Sequence, residues 1–143
     1  MYRDIPLGRI VIIYNSNMTK KLAMVFGIVF LLVGVLGFIP NPIVGEMNAI
    51  FHADMVHNLI HIITGLVLVY LGSKSNATAA TTLKVVGVVY LVVALVGFIM
   101  ADTVAGIIPV NVADNWLHTV LGIVILWSGF GGKRNSNPMT MDM

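Results

Sequence analysis

Residues 27–39 read GIVFLLVGVLGFI, and residues 87–99 repeat them without a gap as GVVYLVVALVGFI. Both segments are apolar throughout, contain no charged residue and begin with glycine. With its flanks, each approaches the roughly 20 residues of helix that cross a bilayer core about 30 Å thick. The repeated segment therefore predicts one membrane helix that occurs twice in the chain.

A second motif is repeated together with the first. Asn58-Leu59-Ile60-His61 is matched by Asn115-Trp116-Leu117-His118, and glycines follow each histidine at the same spacing. The chain therefore reads as two tandem units of two helices each. Because each unit has two spans, both copies keep one orientation, which predicts a pseudo-twofold axis along the membrane normal.

Four stretches come close to the length of a membrane span, and proline, glycine or polar residues bound them. They are Leu22–Ile39, Met55–Gly72, Val85–Ala101 and Asn115–Phe130. We predict an all-α fold, a polytopic membrane four-helix bundle built from two tandem, parallel helical-hairpin repeats. Small residues at regular spacing are expected to form its helix-packing faces. They are Gly27, Gly34, Gly65, Gly87, Ala94 and Gly122.

The same pattern predicts the domain organisation. We expect a short N-terminal cytoplasmic or interfacial segment at residues 1–19 and a transmembrane domain at residues 20–130. Repeat one covers residues 22–72 and repeat two residues 82–130, and residues 131–143 are expected to be a disordered cytoplasmic tail. Met18 precedes two lysines and an apolar run, so translation from Met18 is an alternative to Met1.

The composition limits the class of protein. Hydrophobic residues make up 58% of the 143 residues and charged residues only 10%, whereas roughly a quarter of the residues of a soluble domain are charged. The absence of cysteine excludes thiolate metal sites, iron–sulfur clusters and disulfides. The net charge of +2 is too small and scattered for a nucleic-acid surface. The expected partner is the lipid bilayer, with a second copy or another membrane protein as alternatives.

The charged residues predict an orientation. All eight basic residues fall on one side of the four-span map, at the termini and in the middle connection: Arg3, Arg9, Lys20, Lys21, Lys74, Lys84, Lys133 and Arg134. Four of the six acids fall on the other side: Glu46, Asp54, Asp102 and Asp114. The positive-inside rule then predicts a multi-pass protein of the cytoplasmic (inner) cell membrane with both termini in the cytoplasm.

The second and fourth helices carry the polar chemistry. Residues four apart share a helix face, which places His57 with His61 and Asp114 with His118. We expect contact between His57 and Asp114 near the outer surface, with His61 facing His118 one turn deeper. Ionisable groups inside a span are candidate functional residues. The candidate cluster for ligand binding or a polar network is His57, Asn58, His61, Asp114, Asn115 and His118.

Four roles are open for this cluster. The reading we favour is a hydrogen-bonded network that holds the second and fourth helices together, without a cofactor. A divalent metal such as zinc could bind the three histidines and Asp114. A proton or small-solute path could use His61 and His118, or these two could hold haem non-covalently. No catalytic triad, phosphate loop or nucleotide fingerprint is present in the sequence, so an enzyme is not predicted.

Three motifs resemble one bacterial membrane family, described as domain of unknown function 4383. The motifs are residues 29–40 (VFLLVGVLGFIP), residues 57–61 (HNLIH) with Gly65, and residues 109–118 (PVNVADNWLH) with Gly122. The resemblance covers roughly residues 20–130 and implies a four-helical membrane protein without an assigned activity. It also implies that the six residues of the polar cluster belong to the family motif.

Overall fold

The computed structural model describes residues 17–45, 49–100 and 102–131. In this part of the chain there are four helices, α1 (Met18–Leu36), α2 (Met55–Lys74), α3 (Asn76–Met100) and α4 (Val112–Phe130). Two-residue strands occupy the loops, β1 (Val44–Gly45), β2 (Phe51–His52), β3 (Thr103–Val104) and β4 (Ile108–Pro109). The prediction of an all-α fold is confirmed. Expectations for residues 1–16, for Glu46 and for residues 132–143 lie outside the described residues.

Among the described residues, three helices are long and apolar enough to cross a membrane, α1, α2 and α3. The fourth predicted span, α4, is as long as α1, at 19 residues, but three polar residues, Asp114, Asn115 and His118, lie in its first two turns. The helices also expose large apolar side chains; Leu32 is 65% and Leu95 is 60% exposed. Such a surface suits lipid and is rare on a soluble monomer.

The connection between α2 and α3 is shorter than the sequence predicts. The polar run around residues 73–84 predicts a loop, but α3 begins at Asn76 and only Ser75 separates the two helices. The Ser75 hydroxyl accepts a hydrogen bond from the Thr78 backbone N–H at 3.0 Å, which caps the new helix. Alanines at 77, 79 and 80 then favour helix over loop.

The helices pack as two close pairs, α1 against α2 and α3 against α4. Glycines lie at the closest approaches: a Cβ on Gly65 would lie 2.7 Å from the Gly27 carbonyl oxygen, and one on Gly122 would lie 3.1 Å from that of Gly87. Gly34 and Ala94, the other two predicted packing residues, are buried as well. These positions therefore need small residues because the neighbouring backbone occupies the space of a side chain.

The two ends of the helices differ. One, called here the sheet end, carries both loops with the short strands; β1 pairs with β2 in parallel and β3 with β4 in antiparallel register. The other, called here the terminal end, carries Asn17, Ser75 and Gly131. A cluster of buried apolar side chains joins all four helices between their midpoints and the terminal end. It includes Ala23, Leu68, Leu83 and Ile125.

Candidate functional site

Three buried histidines come together near the sheet end. His57 and His61 lie one helical turn apart on α2, and α4 contributes His118. They are 4%, 7% and 3% exposed, and one ring nitrogen of each lies within 4.8 Å of the other two. We call these three residues the histidine triad.

Matching caps fix where the two helices begin. The Asp54 carboxylate accepts a hydrogen bond from the His57 backbone N–H at 2.8 Å at the start of α2. The Asn111 side chain accepts one from the Asp114 N–H at 2.9 Å at the start of α4. Side-chain oxygens at this position satisfy N–H groups that a helix leaves unpaired. The caps therefore fix the residue at which each helix begins, and so place His57 in the first turn of α2 and His118 in the second turn of α4.

The loops fix the orientation of the His57 ring. Its Nδ1 lies 3.1 Å from the His52 carbonyl oxygen and 3.0 Å from that of Pro109. Carbonyl oxygens only accept hydrogen bonds, so Nδ1 carries the hydrogen and Nε2 keeps its lone pair. Nε2 lies 3.1 Å from Nε2 of His61. Histidines that bind a metal usually donate their other ring N–H to a carboxylate, a backbone carbonyl or water, and His57 meets this condition.

His61 and His118 face each other, as predicted, with ring centroids 6.1 Å apart and ring planes at 28°. Within the described part of the chain, Nδ1 of each is buried and has no hydrogen-bond partner. Leaving a buried polar atom unsatisfied costs about 1–3 kcal/mol. A purely structural network would satisfy these atoms, so the favoured sequence interpretation leaves two nitrogens unexplained.

Asp114 does not take the place predicted for it. Its Oδ2 accepts hydrogen bonds from the backbone N–H groups of His52 and Asn111, both at 2.9 Å. The backbone of His52 therefore stands between the expected partners, because its N–H donates to Asp114 and its carbonyl accepts from His57. As the third residue of α4, Asp114 completes the capping box with Asn111. The carboxylate thus holds a loop, and the group of converging ligand atoms contains histidines alone.

Asn58 and Asn115 contact the neighbouring helix of their own pair. Asn58 fills the space that a Cβ on Gly37 would need, and Asn115 fills the equivalent space at Gly97. Both are almost fully buried, at 2% and 1% exposed. The two asparagines that the sequence assigns to the cluster therefore lie at the α1–α2 and α3–α4 contacts, beside the triad.

Two aromatic residues that sequence reasoning missed complete the site. The Phe30 ring lies 5.3 Å from His61 and the Tyr90 ring 5.2 Å from His118, with 5.0 Å between the two aromatic centroids. The available signal was the repeat itself, because residues 30 and 90 align and differ by one hydroxyl group. The carbonyls of His52 and Pro109 were also missed, since backbone groups leave no signature in a sequence.

This geometry favours a small ion over the other ligands considered. The His57 ring lies 4.9 Å from the His61 ring and 5.7 Å from that of His118, so a porphyrin between His61 and His118 would have to displace it. A proton path would next meet the apolar cluster that includes Leu68 and Ile125. A single ion bound by the converging nitrogens needs neither the space that a porphyrin requires nor the chain of polar groups that a proton path requires.

The family described as Domain of unknown function (DUF4383) matches residues 20–131. No curated protein and no solved structure matches the chain. The match includes all four helices apart from the first two residues of α1, both loops of the sheet end and the whole histidine triad. The chain therefore belongs to the DUF4383 family, a family of unknown function.

Proposed function

We propose that this protein is a multi-pass membrane protein that binds one divalent transition-metal ion, zinc in the first instance, through the histidine triad. The observation that carries the proposal is the convergence of three buried ring nitrogens within 4.8 Å. Imidazole nitrogen suits zinc, copper and nickel, and three histidines with an open fourth position are a known zinc arrangement.

The distances are close to those that a metal requires. Nitrogens about 2.0–2.1 Å from a tetrahedral zinc lie about 3.3 Å from one another. The Nε2 atoms of His57 and His61 are already 3.1 Å apart. The third nitrogen lies within 4.8 Å, so a rotation of the His118 ring would complete the set.

We further propose that all four helices span the membrane as a four-helix bundle of two tandem hairpins. Equivalent residues of the two pairs make equivalent contacts, which supports the repeat. Gly27 meets Gly65 as Gly87 meets Gly122, and Asn58 packs on Gly37 as Asn115 packs on Gly97. In this arrangement α4 also crosses the membrane, and the polar residues of its first two turns lie in or beside the triad.

The proposed orientation puts the sheet end outside and the terminal end in the cytoplasm of a bacterial cell. The support is the distribution of charge, because every lysine of the described residues lies toward the terminal end: Lys20, Lys21, Lys74 and Lys84. The metal would then reach the triad from the outer side, beneath the loops that hold His57.

Metal analysis of the full-length protein, purified in detergent, tests the function. We expect one zinc per chain after dialysis against a slight excess of zinc and removal of the unbound metal, and a rise in the thermal unfolding midpoint when zinc is added to metal-free protein. His61→Ala and His118→Ala should lose both effects. His52→Ala is the matched control, because His52 is the one histidine outside the triad, and it should behave as the wild type.

Two results would overturn the proposal. One is a wild-type protein that binds neither zinc nor copper at micromolar concentrations. The other is equal binding by wild type and His118→Ala, which would place the metal elsewhere. If His118→Ala instead lowers the stability of metal-free protein while the wild type ignores every metal, the histidines serve only to hold the helices together.

A further inference from the structure

A groove opens at the terminal end, far from the triad, between the start of α1 and the end of α2. Its volume is about 680 Å³. Six residues line it: Asn17, Lys20, Lys21, Met24, Val25 and Ser73. Two of these side chains are cationic, two are polar and neutral, and two are apolar, which is the composition of a site for an amphipathic ligand with a negative charge.

The electrostatics of the groove favour an anion. It lies at the N-terminus of α1, where the unpaired backbone N–H groups carry partial positive charge. Asn17 precedes this helix but makes no side-chain capping bond, and the first turn contains no acidic residue. Lys20 and Lys21 add two full positive charges beside the same helix start. A bound anion would reduce the repulsion among these groups.

The apolar side of the groove extends toward the middle of the helix. Met24 lies one turn beyond Lys20, and Val25 one turn beyond Lys21, with Val25 55% exposed. A ligand with its charge at the lysines would therefore lay its remainder along apolar side chains that face the lipid. We propose that this groove binds an anionic phospholipid, with the phosphate at Lys20 and Lys21 and an acyl chain along Met24 and Val25.

The second helix pair differs at the corresponding place. Extending the repeat alignment, Ala80 and Thr81 stand where the first pair has its two lysines, and Phe130 stands where it has Ser73. There the Lys84 ammonium lies 4.4 Å from the centroid of the Phe130 ring, and this cation–π contact occupies the lysine of the second pair that the structure describes. Among the described residues, the pair of lysines that lines the groove is thus a departure from the repeat.

Lipid titration of the full-length protein in neutral detergent tests this site, with bound lipid counted by native mass spectrometry. The probes are phosphatidylglycerol, phosphatidylcholine and inorganic phosphate. Since each lysine near an anionic lipid is worth about fivefold in affinity, we expect Lys20→Gln/Lys21→Gln to bind phosphatidylglycerol at least about tenfold more weakly than wild type. The double variant Lys74→Gln/Lys84→Gln is the matched control, because it removes the same charge at the same end without touching the groove.

The proposal requires that the wild type prefer phosphatidylglycerol to phosphatidylcholine and that only the groove variant lose this preference. Equal losses in the two double variants would overturn it, since they would indicate attraction by net charge alone. Equal binding of the two lipids would also overturn it, as would inorganic phosphate that displaces the lipid completely, because the apolar side would then contribute nothing. Zinc binding by the triad is independent of every one of these outcomes.

Discussion

At the scale of single residues, the chemistry of the site depends on which atoms the loops leave free. The His57 Nδ1–H is shared between two carbonyl oxygens, so the ring turns its Nε2 lone pair toward His61. The carbonyl of His52 can hold that position because the N–H of the same residue is bound to Asp114. Asp114 thus acts on the triad through the backbone of a single residue, His52, without contributing an atom to the triad.

Replacing Asp114 with alanine tests this role. The variant leaves two backbone N–H groups without their acceptor and removes one side of the α4 capping box, so we expect the free energy of unfolding to fall by about 2–3 kcal/mol. Because the His52 carbonyl would also lose its support, zinc affinity should fall about 10- to 100-fold, as for other groups that hold a metal ligand in place. Denaturation in detergent and zinc titration measure the two effects.

The control for this variant is Asp102→Ala, which removes the same charge from an exposed position at the same end. It should change stability by less than about 0.5 kcal/mol. If both variants lost stability and zinc affinity to the same extent, the losses would reflect charge at the sheet end. The proposed link from Asp114 through His52 to the triad would then be wrong.

At the scale of helices, contacts between glycine and asparagine hold each pair in register. The Asn115 side chain occupies the place of a Cβ at Gly97, and at 1% exposure it has little room to move aside. Its Oδ1 is without a conventional hydrogen-bond donor among the described residues, and it points at the Gly97 Cα, a weak C–H donor. Gly97 therefore provides both the space that the Asn115 side chain occupies and a weak C–H donor for its Oδ1.

Gly97→Ala should separate α3 from α4 locally. We expect a loss of about 1–3 kcal/mol in the free energy of unfolding, the usual cost of forcing an extra methyl group into a packed contact. Denaturation in detergent measures it. In the double variant Gly97→Ala/Asn115→Ala the methyl group gains room, so the two substitutions should cost less together than the sum of their separate costs.

Gly45→Ala gives the matched control for this prediction. A Cβ there would have its nearest neighbours at 3.9 Å, an ordinary contact distance, so the change should be close to neutral. Strict additivity of Gly97→Ala and Asn115→Ala would contradict the proposed contact.

Much of this helix arrangement could be read from the sequence. The spacing of Asn58 and His61, repeated at Asn115 and His118, placed the right residues on two helices because the helical period fixes which side chains share a face. The period says nothing about the path of a loop, and so the part played by the His52 backbone was missed. It also could not distinguish a carboxylate that binds a metal from one that caps its own helix, which is why Asp114 stood among the possible metal ligands.

At the scale of the whole molecule, the two ends have separate properties. The sheet end covers the triad with loops joined by hydrogen bonds between distant segments, such as the Asn111 amide to the Ile50 carbonyl at 2.9 Å. The terminal end carries the lysines and the groove. The proposed orientation therefore directs the metal site toward the outside and the lipid site toward the inner leaflet. A single measurement of orientation thus tests from which side the metal reaches the triad and from which leaflet the lipid reaches the groove.

Cysteine labelling in intact cells measures that orientation directly. The chain contains no cysteine, so a single introduced thiol is the only one in this protein that the reagent can label. Asp102 and Ala77 are both exposed, the first beside the sheet end and the second at the start of α3. A membrane-impermeant maleimide should label Asp102→Cys in intact cells and Ala77→Cys only after lysis, because the positive-inside rule keeps the lysine-bearing end in the cytoplasm. Labelling of Ala77→Cys alone in intact cells would reverse the orientation, and labelling of both would mean that α3 does not cross the membrane.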